Sequence, residues 1–410
     1  MSLRRGLHTN ENVLVAVDVL VHSRGAFLGI FLMAFMMGVS LSESPVSYII
    51  YNIVRYVCMG LFAIIFLWFC KRHTLAAWRI SAFFSITQIL AVIFLDPTAM
   101  YFPYVIAVLS AFESMLYWRP KMFFDVVEVS NERRLRFKSI SQVISEIVKI
   151  IMPVILGISI IKTSYTLTGF IILAISVFQL ILSILFRPTH RPAVQKVNFV
   201  AAYERILKNP ALQKIMLIQL LRGILLTGSA YVVIASINLY QNVSSSLDLG
   251  IFTAIGSLIS IIAIILFQRI AKRKGSQMTM LVGLATPIIL LPIVCYLFPG
   301  NATVAIVFYV YVQAILETFF NSVISVKRLQ DIMKKHLYDD SLRIEIEAMS
   351  ELALTVGRVF TLTILLFMIQ MGWQNYILIL AIASSLVIIP FVRMSLSRRE
   401  TKQISTSNWF

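Results

Sequence analysis

The sequence predicts an all-α integral membrane protein with twelve transmembrane helices in two bundles of six. Three observations support this fold class. Of the 410 residues, 59% are hydrophobic and 13% are charged, and the mean hydropathy of +0.86 is higher than a soluble domain can keep from water. The apolar residues form long continuous segments, whereas a transmembrane β-barrel shows segments of about ten residues with alternating polarity. Finally, the two halves of the chain repeat one pattern of charges.

The apolar segments fall into two groups of six, one on each side of a polar connection at 187–209. Numbered as spans 1 to 12, they lie at 13–41, 46–69, 75–95, 101–118, 139–161, 165–186, 211–240, 247–268, 278–298, 302–324, 348–371 and 375–393. A helix of about 17 to 25 apolar residues crosses the hydrocarbon core of a bilayer. We therefore expect an N-terminal bundle over 1–186 and a C-terminal bundle over 210–410.

The connection between the two bundles is predicted to be cytoplasmic and to hold a short amphipathic helix. Pro188 and Pro192 end span 6, because proline cannot continue a helix. Residues 197–208 carry apolar and charged side chains at a helical spacing, which suits a helix at the inner membrane surface. Asn209 and Pro210 then start span 7.

The basic residues predict the membrane topology. Of 36 Lys and Arg, only Lys162 falls in an odd-numbered connection, whereas the basic clusters occupy the even-numbered connections and the C-terminal tail. The positive-inside rule then places both termini in the cytoplasm, for a multi-pass protein of the plasma (inner) membrane. Loops beside anionic lipid explain the net charge of +17, so we predict no binding of nucleic acid.

The sequence contains no motif of an enzyme or of an ATP-driven pump. It lacks a phosphate-binding Gly-x-x-x-x-Gly-Lys-Ser/Thr loop, a His-Glu-x-x-His zinc motif and a Cys-x-x-Cys pair. Its three cysteines have no paired spacing. We therefore predict no enzymatic activity, no cofactor and no metal site.

The most informative feature is a set of ionisable residues that recurs in the two halves, inside otherwise apolar spans. The first set consists of Arg24, Glu113, Glu146 and Lys149, and the second of Arg222, Glu317, Glu351 and Arg358. The arginine precedes the first glutamate by 89 residues in one half and by 95 in the other, and the two glutamates are 33 and 34 residues apart. Each set sums to zero charge and indicates an internal duplication. Ionisable groups in hydrocarbon usually mark a pathway or a gate.

One loop of the second half carries a weak local motif that points to a known family. Arg269-Ile-Ala-Lys-Arg-Lys-Gly275, between spans 8 and 9, is similar to the basic, glycine-containing loop of the major facilitator superfamily of secondary transporters. The equivalent loop of the first half, Cys70-Lys-Arg-His73, lacks the glycine and the acidic residue of that motif. With six plus six spans in parallel repeat, the whole chain resembles this superfamily. Within it, the chain is most similar to poorly characterised bacterial transporters of the YqgE type.

The resemblance implies that spans 1, 4, 7 and 10 line a central cavity, which would hold Arg24, Glu113, Arg222 and Glu317. Two interpretations of the repeated charges remain open at this point. Each set is either a fixed cluster of ion pairs that holds helices together, or a proton site. In the second case the carboxylates, Glu113 and Glu317 first, bind and release a proton as the cavity opens to one side and then to the other.

Further polar residues are candidates for binding a substrate. On span 10 a polar stripe recurs every four residues and consists of Tyr309, Gln313, Glu317 and Asn321. Arg55 lies about ten residues into span 2, with Asn52 on the same side of the helix. This pair suits an anionic or amphipathic headgroup. The alternative is an arginine that is bonded to backbone carbonyls or to a carboxylate of span 1 or 11.

The leading functional hypothesis is a monomeric, proton-coupled transporter that exports a small amphipathic or anionic compound by alternating access. Its partners would be that small molecule, protons and membrane lipids. A flippase for lipids or lipid-linked sugars is the main alternative, with a cavity that opens sideways to the bilayer. A membrane scaffold or sensor that binds a partner at the long connections 119–138 and 325–347 is a third.

The predicted topology can be tested with single cysteines in a cysteine-free variant. Thr163→Cys lies in the outer connection after span 5, and Gln195→Cys lies in the connection between the bundles. We expect a membrane-impermeant maleimide to label the first in intact cells and the second only after permeabilisation. The opposite pattern would show that the termini lie on the other side of the membrane from the side that the charge distribution predicts.

Overall fold

The computed structural model describes residues 9–32, 36, 46–96, 98–129, 131–188, 197–227 and 342–371, with isolated positions between 251 and 266. In this part of the chain all regular secondary structure is helical, as predicted. The α-helices are α1 (Thr9–Ala26), α2 (Val46–Ile65), α3 (Leu67–Arg72), α4 (Thr74–Phe94), α5 (Phe102–Val127), α6 (Asn131–Lys162), α7 (Tyr165–Leu185), α8 (Phe199–Lys208), α9 (Pro210–Thr227) and α10 (Arg343–Gln370). Helices α1, α2 and α4 to α7 correspond to spans 1 to 6, and α9 and α10 to spans 7 and 11.

Six of the described helical segments are long and apolar enough to cross a membrane: Asn10–Gly29, Val46–Ile65, Thr74–Phe94, Ile144–Lys162, Tyr165–Leu185 and Glu345–Gln370. Helix α5 is not among them, and four charged side chains lie along it: Glu113, Arg119, Lys121 and Asp125. Spans 8, 9, 10 and 12 lie largely or entirely outside the described residues.

Helix α1 does not end at Ala26 but continues into a π-helical turn, Phe27–Phe31. The backbone at Ala26 and at Leu32 has ordinary right-handed helical dihedrals, so the helix is widened without being broken. Phe27 and Phe31 are both buried at this turn. The sequence predicted a regular helix here, and π turns are frequent at functional sites. The turn begins two residues after Gly25.

The long connection predicted at 119–138 is mostly helical. Helix α5 continues to Val127 and α6 begins at Asn131, which leaves a short turn between them. The charged residues favour this extension, since Lys121 and Asp125 form an ion pair of 2.8 Å one helical turn apart. The predicted loop was wrong because charge was taken as a sign of loop structure, although Lys, Arg and Glu are good helix formers.

The chain divides into two compact units, Met1–Val197 with Tyr240–Leu258, and Asn198–Leu239 with Ile259–Phe410. In the first unit, α5 packs against α2 and α4, α4 packs against α7, and α1 packs against α6 and α7. An aromatic cluster of Trp78, Phe124 and Phe186, with ring centroids 4.8 to 5.4 Å apart, joins α4, α5 and the end of α7. The predicted bundle boundaries at 186 and 210 stay a prediction.

In the second unit, α9 packs closely against α10 where two glycines meet. A Cβ atom on Gly223 would lie 2.2 Å from the carbonyl oxygen of Leu354, and one on Gly357 would lie 2.1 Å from that of Leu220. Both distances are far below van der Waals contact, so only glycine permits this approach of the two backbones. Gly25, which the repeat aligns with Gly223, has open space around its Cβ position.

Replacing either interface glycine by alanine should destabilise the protein, because the backbones of α9 and α10 must move apart. We expect Gly223→Ala and Gly357→Ala each to lower stability by about 1–3 kcal/mol, as overpacking does. Gly25→Ala is the matched control and should leave the melting temperature unchanged or slightly raised, since alanine is the better helix former. Thermal unfolding in detergent measures all three. Equal melting temperatures of the Gly223→Ala and Gly25→Ala variants would contradict the close approach of α9 and α10.

Candidate functional site

A buried ion pair joins α1 to α5 in the first unit. The Arg24 guanidinium donates to Glu113 Oε1, and the two residues are only 3% and 5% exposed. Arg24 Nη1 also donates to Gln179 Oε1 of α7 at 3.3 Å, and Ser85 Oγ of α4 donates to the same oxygen at 3.5 Å. Arg24 of α1 therefore contacts α5 and α7 directly and is linked to α4 through Gln179. The sequence singled out Arg24 and Glu113, and the structure brings them into contact.

Sequence reasoning missed Gln179 and Ser85, although a signal was present. On α7 the polar residues Ser176, Gln179 and Ser183 recur at helical spacing and are fully buried. On α4 the same is true of a second stripe, which consists of Ser81, Ser85 and Gln88. Two polar stripes on apolar helices, each with one-face periodicity, indicate that the helices face each other through those sides.

The Gln179 amide gives Arg24 a second, neutral acceptor beside the Glu113 carboxylate. If Glu113 binds a proton, the guanidinium therefore keeps one hydrogen bond inside the protein. Arg24 Nε and Gln179 Nε2 make no hydrogen bond within the described protein, and neither do the two amide atoms of Gln88, one turn after Ser85 on α4. Buried polar groups of this kind are normally satisfied by water or by a ligand. The arrangement can thus hold a charge and exchange hydrogen-bond partners.

A second buried network lies about six residues, or 9 Å, before Arg24 on α1. The Asp18 carboxylate accepts hydrogen bonds from Tyr117 Oη at 2.6 Å and Ser141 Oγ at 2.8 Å, and it pairs with Lys121 Nζ at 3.0 Å. Asp18 and Lys121 are 2% and 7% exposed. The sequence analysis did not predict this network, although an acid before Arg24 and a base after Glu113 are complementary on antiparallel helices.

The polar contacts between α1 and the end of α5 keep one antiparallel order. As α1 proceeds from Asn10 to Asp18 to Arg24, its partners on the α5 side proceed backwards along the chain. Asn10 Nδ2 donates to Glu128 Oε2 at 2.9 Å, Asp18 meets Lys121, and Arg24 meets Glu113. This order fixes which turn of α1 faces which turn of α5.

The remaining members of the first charge set form a separate pair on α6. Lys149 Nζ lies 2.8 Å from Glu146 Oε1, three residues away on the same helix. The Lys149 side chain is 47% exposed, so this pair adds little stability. Among the described residues the first set is therefore two ion pairs rather than one cluster.

The second charge set is only partly within the described residues. Arg222 on α9 and Glu351 and Arg358 on α10 are half-buried. Arg222 and Arg358 each adjoin a glycine of the close crossing between these helices. Glu317 lies outside the described residues, and so do the predicted substrate residues Tyr309, Gln313 and Asn321.

Of the predicted binding residues on α2, Arg55 is half-buried and its guanidinium carbon lies 5.9 Å from the ring centroid of Tyr56. Asn52 Nδ2 donates to the backbone carbonyl of Tyr48 at 2.9 Å, within its own helix. The hydroxyl of Tyr51 reaches Ser110 Oγ of α5 at 3.4 Å. A substrate role for Arg55 and Asn52 stays a prediction.

Comparison with known proteins shows which fold this is. A family model described as Major Facilitator Superfamily matches residues 126–327. The structure is similar to that of the nucleoside transporter NupG, with 14% identity over 95% of this chain and 100% of that chain, and a TM-score of 0.67. A bacterial homologue of the iron transporter ferroportin in its inward-facing state has 15% identity, 96% and 100% coverage, and a TM-score of 0.67. An auto-inhibited POT family peptide transporter has 11% identity, 95% and 97% coverage, and a TM-score of 0.71.

No curated protein matches the chain in sequence. At such low identities the solved structures show the fold alone, and they confirm the predicted all-α membrane architecture over nearly the whole chain. The prediction that the chain is not an enzyme is also confirmed, since the matched family consists of transporters. The family model covers residues 126–327, just under half of the chain, and the shared fold extends over nearly all of it, so this protein is a multi-pass membrane protein with the fold of the Major Facilitator Superfamily.

Proposed function

We propose that the protein is a proton-coupled secondary transporter that exports a small amphipathic or anionic compound by alternating access. The observation that carries the proposal is the buried pair of Arg24 and Glu113, with Gln179 as a second acceptor for the arginine. The first charge set also contains Glu146, whose carboxylate is paired with a half-exposed lysine. Glu113 is therefore the proton-binding group that we assign first.

The coupling follows from the way that a carboxylate responds to its surroundings. An arginine in contact favours the ionised form of a carboxylate, whereas burial without that contact favours the neutral form. A movement that separates Arg24 from Glu113 would therefore change whether a proton binds. Conversely, a proton on Glu113 would release Arg24 to Gln179, so proton binding and helix movement would bias each other.

The proposal also includes the predicted topology, membrane location and oligomeric state. Both termini would lie in the cytoplasm, in the plasma (inner) membrane, and the transporter would act as a monomer. The second charge set, with Glu317 and Glu351, would act as an equivalent gate. The narrower likeness to YqgE-type transporters has no support among the matched proteins and stays a prediction.

The structure bears differently on the two alternative functions, the scaffold and the flippase. The scaffold hypothesis placed a partner on the long connections 119–138 and 325–347. The first is mostly helix with a short turn, and the second lies largely outside the described residues. A flippase would use the same fold and the same buried pair, so the transport assay has to separate it from an exporter.

Proton coupling can be tested in proteoliposomes with a trapped pH-sensitive dye and a library of amphipathic and anionic compounds. We expect a substrate-evoked proton flux that Glu113→Gln abolishes, because the amide cannot bind the proton. Glu146→Gln is the matched control and should retain most of the flux, since its pair is partly exposed.

Full flux in Glu113→Gln would show that the carboxylate has a structural role only. Movement of a fluorescent lipid between leaflets, with no response to any soluble compound, would instead establish the flippase.

The Arg24–Glu113 pair should also behave as a buried ion pair in stability measurements. Removing one partner leaves an uncompensated charge, so Arg24→Met and Glu113→Leu should each cost about 3–5 kcal/mol. The double variant should lose less than either single variant, because no charge is left unpaired. Thermal unfolding in detergent gives the comparison, with Lys149→Met as the control for an exposed pair. Additive losses in the double variant would show that the two side chains are not coupled.

A further inference from the structure

Helix α8, Phe199–Lys208, presents three different sides, and one of them is apolar yet exposed. At about 100° per residue, Val200, Tyr203 and Leu207 lie within an arc of about 60°. They are 70%, 55% and 54% exposed. A separate arc of about 100° carries the charged residues Glu204, Arg205 and Lys208.

The third side fixes α8 against the second unit. Ala202 and Ile206 are buried in a cluster with Leu212 and Ile215 of α9 and Ile346 of α10. At its start, the Asn198 side chain accepts from the Ala201 amide at 3.0 Å, and the Asn198 amide donates to Glu345 Oε1 of α10 at 3.3 Å. Helix α8 therefore cannot rotate about its axis to hide its exposed apolar side.

The chain also fixes how far α8 can lie from the membrane. Only Asn209 separates the end of α8 from the start of α9, which is span 7. A single residue reaches at most about 3.6 Å, so α8 must lie at the membrane surface where span 7 begins. An apolar arc beside a charged arc at that depth is typical of an interfacial helix.

The charges near α8 indicate the kind of lipid surface. Arg205 and Lys208 lie on the helix, and the exposed Lys214 follows on the first turns of α9. The one acid in this stretch, Glu204, is 3.4 Å from Lys208 in an exposed pair that solvent screens. The surface that faces the headgroups therefore carries a net positive charge, which attracts anionic lipid.

We propose that α8 is an anchor in the headgroup region of an anionic leaflet. Val200, Tyr203 and Leu207 insert at the boundary of the acyl chains, and Arg205, Lys208 and Lys214 contact anionic phospholipid headgroups. This inference does not depend on proton coupling, on the substrate or on the direction of transport. It concerns the intact protein in a bilayer.

Spin labels placed on the two sides of α8 test the proposal in the intact protein. In a background with the native cysteines replaced by alanine, the labelled sites are Tyr203→Cys and Leu207→Cys, with Glu204→Cys and Lys208→Cys as matched neighbours. All four positions are exposed, so labelling should not disturb packing. The protein is reconstituted in phosphatidylcholine vesicles with and without phosphatidylglycerol. Collision with oxygen, which concentrates in lipid, is compared with collision with a water-soluble nickel chelate.

We expect the spin labels at 203 and 207 to collide more often with oxygen than with the nickel chelate. At 204 and 208 we expect more collisions with the nickel chelate. Phosphatidylglycerol should increase the difference, and the Arg205→Gln/Lys214→Gln variant should lose this increase. Preference for nickel at all four positions would show that α8 faces water, and preference for oxygen at all four would show that it is immersed in the bilayer. Either result would overturn the anchor, and no response to phosphatidylglycerol would overturn the role of anionic lipid.

Discussion

The buried contact between Arg24 and Glu113 constrains the first half of the transporter more than any other interaction described here. Removing two charges from water costs several kcal/mol for each ion, and only a well-matched partner offsets this. Once both groups are buried, α1 and α5 have to keep the register that joins them. The Asp18–Lys121 pair and the Asn10–Glu128 contact follow the same antiparallel order, so three polar contacts fix one helix crossing.

The two halves of the chain share a charge pattern but not one packing solution. Around Arg24 the space next to Gly25 is open, and polar side chains of α4 and α7 complete the surroundings. At the equivalent place in the second unit, the backbones of Gly223 and Gly357 are in close contact, so a second helix backbone occupies the space that is open beside Gly25. The two halves of a duplicated chain can therefore keep the same residue types at equivalent positions and still pack differently, because packing depends on every neighbouring helix.

The sequence was sufficient to predict the membrane fold, because apolar length and continuity directly reflect the thickness of the bilayer. The Glu146–Lys149 pair was predictable too, since both residues lie on one helix at a fixed spacing. The partners of Arg24 beyond Glu113 were not, because contacts between helices depend on the rotation of each helix about its axis. Hydropathy does not fix that rotation. For α7, the polar stripe of Ser176, Gln179 and Ser183, which is buried in the structure, indicates which side of the helix faces its neighbours.

The order of charges on α1 and α5 also limits how these helices can move. Asp18 and Arg24 are about 9 Å apart along α1, and Lys121 and Glu113 about 12 Å apart along α5. Sliding α1 towards its C-terminal end would bring Asp18 towards Glu113, and sliding it the other way would bring Arg24 towards Lys121. Both movements oppose like charges in a low-dielectric interior, where repulsion is strong. We infer that a slide of α1 along α5 is disfavoured, so the movement that separates Arg24 from Glu113 is of another kind, and Gln179 remains a hydrogen-bond acceptor for the arginine when Glu113 leaves it.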